Sequence, residues 1–242
     1  MIGIIAEAQA EAKNRGSYFY LSWSIDREYS DEELDSAELF LVAFDFINKA
    51  GEELGTRYDE LSACPLCGAG ARQETELILD CGGLSSRKDF GRTIAFELLV
   101  STRAKDVFDQ NDVTGARYAP VVCARGPKVR GAAWRQLLMP DHGVRIVAPT
   151  VIANRPFQDP MDAAALRYRC ELGHTLGLTL VSEAYVDRES WDGTDLVASD
   201  AYVGLRSGMI RHNREIFVSQ KIRRLVAAAK IRGVRFEVAH LV

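Results

Sequence analysis

Two thiols, Cys64 and Cys67 in Cys64-Pro65-Leu66-Cys67-Gly68, stand at the spacing that lets both reach one metal ion. Pro65 restricts the turn, and Gly68 tolerates the positive φ that such a turn often needs. In zinc sites this half-motif supplies two of four tetrahedral ligands. The other two must come from elsewhere in the chain. The segment Cys170-Glu171-Leu172-Gly173-His174 keeps one Cys and a Gly, and offers His174 four residues after Cys170. If zinc is bound, the expected ligands are Cys64, Cys67, Cys170 and His174, in a closed structural site. The competing expectation is a turn with two reduced thiols, or a site that has lost its metal.

Other chemistry is sparse. The chain has no GxSxG elbow, HExxH helix, Walker A loop or GxGxxG fingerprint. His142, His174, His212 and His240 fall in separate segments, no two at metal-binding spacing. Ser85, Ser86, Arg87 and Lys88 lie between glycines, but without the GxxxxGK[ST] pattern they predict a structural loop. The expectation is a protein that is not an enzyme.

The elements that must position the cysteines follow from periodicity. Residues 2–14 have helical spacing, and Tyr18 to Trp23 alternate as a strand does. Asp31 to Ser36 is an acidic turn or helix start. Leu39 to Ile47 fits both periods, with its aromatic content favouring a strand. Further strands are predicted at 76–80, 113–122, 135–139, 144–148 and 176–184, and a short helix at 161–168. Asn154 to Asp159, with Pro156 inside it and Pro160 directly after, is the most linker-like stretch.

A repeat underlies this plan. Glu97–Pro120 aligns with Glu215–Val238 without a gap, and Glu97, Val100, Ser101, Gly115 and Arg117 recur as Glu215, Val218, Ser219, Gly233 and Arg235. Each copy reads as strand, helix, strand, with Ser101 and Ser219 where an N-cap belongs. The cysteine segments precede the copies in the same order. The predicted fold is α+β: two related β-α-β halves with zinc-knuckle-like turns, and mixed or antiparallel sheets covered by helices. The division expected is 1–59, an acidic N-terminal helix and strand segment; 60–150, the first half; and 151–242, the second, with 60–242 able to form one compact domain.

The paired knuckles, each followed by a strand, a helix and a closing strand such as Gly233-Val234-Arg235-Phe236, resemble the bacterial double-CXXCG motif family. The resemblance spans roughly 60–242. It implies a zinc-ribbon-like protein and, as for some members, an immunity protein that neutralises a cognate toxin. Cys64, Cys67 and Cys170 match the motif; Gly173 stands where the fourth Cys belongs, leaving His174 or Cys81 to substitute.

Charge is uneven. Residues 26–60 hold 12 Asp or Glu against three Lys or Arg, and residues 206–235 hold nine Lys or Arg against one Glu. An acidic face at Asp31, Glu32, Glu33, Asp35 and Glu38 suits a basic toxin. The basic stripe Lys221, Arg223, Arg224 and Lys230 suggests the alternative, a zinc-ribbon protein that binds nucleic acid or regulates. The net charge of −4 and the lack of interleaved aromatics speak against nucleic acid. The longest apolar run, Leu39–Phe44, is too short to span a bilayer. Residues 1–14 lack a signal-peptide pattern, so a cytoplasmic protein with five reduced cysteines is expected.

Overall fold

The structure, a computed structural model, describes residues 2–19, 25–153, 170–174, 176–177, 179–204 and 206–242. Helix α1 (Ile2–Asn14) lies where the spacing predicts it. The strand predicted from Tyr18 falls mostly outside the described residues, as do the helix at 161–168 and the linker at 154–159. Helix α2 (Asp31–Ser36) starts at Ser30, whose hydroxyl accepts from Glu33 N while the Glu33 carboxylate takes the Ser30 N–H, a capping box.

The rest is mostly strand. The chain runs through β1 (Leu39–Phe44), β2 (Phe46–Asn48), the small pair β3 (Tyr58–Asp59) and β4 (Arg72–Gln73), then β5 (Leu77–Asp80), β6 (Phe90–Thr93) and β7 (Leu98–Ser101). Helix α3 (Thr102–Gln110), β8 (Arg117–Arg125), α4 (Lys128–Ala132), β9 (Trp134–Leu138) and β10 (Gly143–Val144) follow. Then come β11 (Ile152–Ala153), β12 (Leu176–Gly177), β13 (Thr179–Leu180), β14 (Ala184–Val186), β15 (Leu196–Val203), β16 (Asn213–Ser219), α5 (Gln220–Ala228) and β17 (Val234–Leu241). The strand predicted at 113–122 begins only at Arg117, because Asp112 and Gly115 turn the chain at positive φ. Those predicted at 144–148 and 176–184 are shorter or broken.

Two mixed sheets result, ordered β2-β6-β7-β9-β8-β5 and β10-β15-β16-β1-β17-β14, with β12 also on β15. Glu97–Pro120 and Glu215–Val238 adopt the same strand–helix–strand course. The two sheets also share a register. Ser101 faces Trp134 as Ser219 faces Leu39, and Pro120 faces Arg135 as Val238 faces Phe40. In each, the strands flanking the helix are parallel, with an antiparallel strand between them. The middle strand differs in origin: in the later sheet it is β1, from far earlier in the chain, and in the earlier sheet it is β9, which follows β8 and α4 directly.

One apolar core joins both sheets. Phe40, Phe90, Val100, Phe108, Val218, Ile222 and Val226 belong to it, so α3 and α5 bury their apolar faces together. Full burial of side chains such as Phe40 and Phe108 stabilises by roughly 1.5–3 kcal/mol each. The recurring residues form a reciprocal lock. Ser101 donates to Asp89 at 2.9 Å, and Ser219 to Asp195 at 2.7 Å. Asp195 accepts from Thr114 N at 3.0 Å, and Asp89 from Arg232 N at 3.1 Å. Ser101 also caps α3 as predicted, whereas the Ser219 side chain makes no cap bond. Gly115 and Gly233 lie so close to the other sheet that a Cβ would stand 2.0 Å from Leu196 O and 2.1 Å from Phe90 O.

The expectation of five reduced cysteines is corrected. Cys81 and Cys123 form a disulfide, and Cys64, Cys67 and Cys170 are free. Parallel pairing of β5 with β8 sets Leu79 opposite Cys123, which brings Cys81, just past the end of β5, within reach. Among the described residues no helix is long and apolar enough to cross a membrane.

Candidate metal centre

The first cysteine turn hangs between β3 and β4. Cys64 N donates to Ala69 O at 2.7 Å and Gly68 N to Cys64 O at 2.8 Å, and Gly68 takes φ +74. The second turn is one residue tighter. Cys170 N donates to His174 O at 2.8 Å, Gly173 N to Cys170 O at 2.7 Å, and Gly173 takes φ +89. The ligand and the left-handed glycine have therefore exchanged order. In the first turn Cys67 precedes Gly68; in the second Gly173 precedes His174. The longer imidazole spans the extra distance back to the thiols.

The turns meet. Cys64 Sγ lies 3.6 Å from Cys170 Sγ, and Cys67 Sγ lies 3.6 Å from His174 Nδ1. All four ligand atoms lie within 4.8 Å of one another. Zinc bonds of 2.3 Å to sulfur and 2.0–2.1 Å to nitrogen, at tetrahedral angles, put sulfurs about 3.8 Å apart and sulfur about 3.5 Å from nitrogen. The spacing fits zinc. Four protein ligands leave no open position for water or substrate, the mark of a structural rather than a catalytic ion. Cys81 takes no part, because it is held in the disulfide.

The thiols also show what a bound cation would offset. Burial works against charge on Cys64, yet N–H groups of Cys67 and Leu66 and the thiols of Cys67 and Cys170 outweigh it and bring Cys64 down to about 6. Burial, together with the neighbouring Cys64 and Cys170 sulfurs, pushes Cys67 up to about 11. Sulfurs this close do not all ionise unless a positive charge sits between them.

Side chains from the connection between β15 and β16 hold the first turn. His212 places Nε2 2.7 Å from Cys67 O and Nδ1 3.1 Å from Gly204 O. Arg206 packs on Gly68 and pairs with Glu60 at 3.1 Å. The buried Arg211 pairs with Glu60 and, at 2.8 Å, with Glu52, and stacks over Tyr58 at 3.9 Å. The His174 ring meets Tyr202 edge-on. Such outer contacts orient ligands and fix their geometry.

The acidic residues singled out from sequence lie apart from the cysteines, on and just after α2. Asp31, Glu32 and Glu33 are exposed, and Glu33 closes the capping box, which lowers its pKa through the Ser30 N–H and hydroxyl. Asp35 pairs with Arg223 at 3.0 Å, and Glu38 with Arg188 at 2.6 Å. Lys221 reaches Asp195 at 3.1 Å. The acidic and basic runs thus partly neutralise each other, which composition by segment could not reveal. Asp89 and Asp195 were missed, yet they recur at the offset of Cys64 and Cys170, and that offset was the signal available. No family model matches the chain, and no curated protein matches its sequence.

Proposed function

We propose that the chain is a non-catalytic binding protein, built by doubling one unit of knuckle plus β-α-β, that neutralises a cognate bacterial toxin by occlusion. A zinc ion on Cys64, Cys67, Cys170 and His174 clamps the two halves in this reading. The observation that carries it is the meeting of four ligand atoms from turns 106 residues apart, at zinc spacing and with no open position. The ion supplies stability and fixed geometry. The protein's own residues present a rigid surface and move no proton or electron pair.

The toxin enters through the resemblance to the double-CXXCG motif family. The exposed Asp31 and Glu32 give a basic partner an approach that the ion-paired Asp35 and Glu38 give less freely. The alternative, nucleic-acid binding through α5, is disfavoured because Lys221 and Arg223 already face Asp195 and Asp35. Cytoplasmic action belongs to this reading; in the disulfide Cys81 is fully buried and Cys123 half-buried.

The test is co-expression with the product of the neighbouring reading frame as the candidate toxin. The wild-type chain should restore growth, and a tagged copy should retain the toxin. Cys64→Ser with Cys67→Ser should lose both, together with zinc. Retention of nucleic acid with a steep salt dependence, and no rescue, would overturn the proposal.

A further inference from the structure

Beneath the first cysteine turn, between the facing ends of the two sheets, lies a cavity of about 1070 Å³. Its volume is just above the range of small-molecule sites, about 300–1000 Å³. Leu41, Ala43, Phe44, Leu138, Met139 and Leu180 supply apolar wall. The charged wall is dominated by arginine: Arg27, Arg72, Arg92, Arg211, Arg214 and Arg235, against Glu97, Glu215, Glu237 and Asp141.

The arginines differ in what holds them. Arg27 pairs with Glu237, Arg211 with Glu52 and Glu60, and Arg235 with Asp26 at 3.6 Å. Arg214 donates to main-chain carbonyls of Ser199, Pro140, Asp141 and His142 and, among the described residues, has no carboxylate within 4.0 Å. Arg92 is half-buried at the end of β6 and likewise has no carboxylate within 4.0 Å among the described residues. Its guanidinium rests over the Phe96 ring at 4.3 Å, and its hydrogen bond to Thr93 O is long at 3.5 Å. A guanidinium carries five donors in a planar fork, so most of the Arg92 fork is free to face the cavity.

The turn that places Arg92 is built at a cost. Phe96 takes φ +66, a conformation that bulky residues rarely adopt and glycine would adopt freely. Thr93 fixes it. Its hydroxyl accepts from Ala95 N and Glu97 N, both at 3.2 Å, while Phe96 N donates to Thr93 O at 3.1 Å. A phenyl ring kept where a plain turn would use glycine holds an arginine face-on beside the cavity. Such strained positions cluster at ligand sites.

The acids do not cancel this charge. The Glu97 carboxylate is filled by Tyr58 OH at 2.8 Å, Gly51 N at 3.1 Å and the Thr93 hydroxyl, and burial raises its pKa. Glu215 has no cation within 4.0 Å among the described residues; burial, with Glu237 nearby, pushes it up to about 7, although Arg92 is close enough to draw it down. Positive charge therefore exceeds negative charge inside a concave, partly apolar wall, which focuses the field on an anion.

We propose that this cavity binds a small organic anion, a carboxylate or phosphate monoester on a partly apolar body, with the Arg92 fork as its anchor. The apolar wall takes the body. The Phe96 ring presents the flat guanidinium so that two of its N–H groups can meet two oxygens of the ligand, which a lysine cannot reproduce.

The test is calorimetric titration of the full zinc-loaded chain with phenyl phosphate and with benzoate, using benzyl alcohol as the neutral probe. Saturable 1:1 binding of at least one anion, with none for the alcohol, is expected; whichever anion binds more tightly identifies the headgroup. Arg92→Met should weaken binding at least about tenfold, and Arg92→Lys should lie between it and wild type. Arg188→Gln, outside the cavity, should bind as wild type does. Zinc content and melting temperature establish that each variant is folded, and Arg92→Lys serves if Arg92→Met is not. No saturable binding of either anion, equal binding by the alcohol, or unchanged affinity in a folded Arg92 variant would overturn the proposal.

Discussion

Replacing Gly115 by alanine tests the reciprocal lock between the sheets. At φ +85, an L side chain costs about 1–2 kcal/mol by itself. The added Cβ would stand 2.0 Å from Leu196 O and 2.5 Å from Thr194 Cγ2, so the backbone must move. That movement breaks the bonds from Leu196 N to Thr114 O (3.1 Å) and from Thr114 N to Asp195 (3.0 Å), at about 1 kcal/mol each and more for the buried carboxylate. The total is about 4 kcal/mol. Gly193, at φ +87 with nothing within 4 Å of where a Cβ would stand, supplies the control, because Gly193→Ala incurs only the conformational cost. For a chain of this size each kcal/mol lowers the melting temperature by roughly 2–4 °C. Calorimetry should therefore show Gly115→Ala falling by roughly 8–16 °C and Gly193→Ala by no more than about half of that. Gly233→Ala, 2.1 Å from Phe90 O, should match Gly115→Ala. Equal small losses at Gly115 and Gly193 would refute the close approach of the sheets.

Burial raises Glu215 to about 7, so the folded chain holds its proton more tightly than the unfolded chain does. Its contribution is full below the ordinary glutamate range near 4.5 and is lost as pH rises through 7; Glu215→Gln should flatten that decline, worth at most roughly 3 kcal/mol, in denaturant titrations from about pH 4.5 to 8. Cys81→Ala with Cys123→Ala opens a loop with a sequence separation of 42 and should lower unfolding free energy by about 4 kcal/mol by chain entropy, read by urea titration. On the toxin, Glu32→Lys should slow association at low salt with the fold unchanged, whereas Asp35→Lys should also lose the Arg223 pair, at most about 1 kcal/mol of stability; an unchanged association rate for Glu32→Lys would exclude this face.

The candidate ligands were legible because ligand chemistry is local: a CxxCG turn, a second Cys with its own glycine, and a His one residue beyond the expected position. The two strand–helix–strand segments were legible because each helix shows an apolar face and each strand a run. Strand partners were not. Nothing in Leu39–Phe44 says that it inserts between β16 and β17, because a strand's neighbours are fixed by tertiary packing and not by its own period. The disulfide was hidden for the same reason, since only the β5–β8 pairing brings Cys81 to Cys123. The charge runs misled for a related reason. Asp35 and Arg223 lie far apart in sequence and face each other in the fold. Ser219 stands where a cap belongs, but its hydroxyl goes to Asp195.

Zinc X-ray absorption on the purified chain, with metal content measured on the same sample, addresses the clamp directly. One zinc per chain is predicted, with three sulfurs near 2.3 Å and one nitrogen near 2.0–2.1 Å, and with Cys170→Ser and His174→Ala each lowering occupancy. Well under one zinc per chain, or a first shell of oxygen and nitrogen without three sulfurs, would contradict a Cys64–Cys67–Cys170–His174 centre.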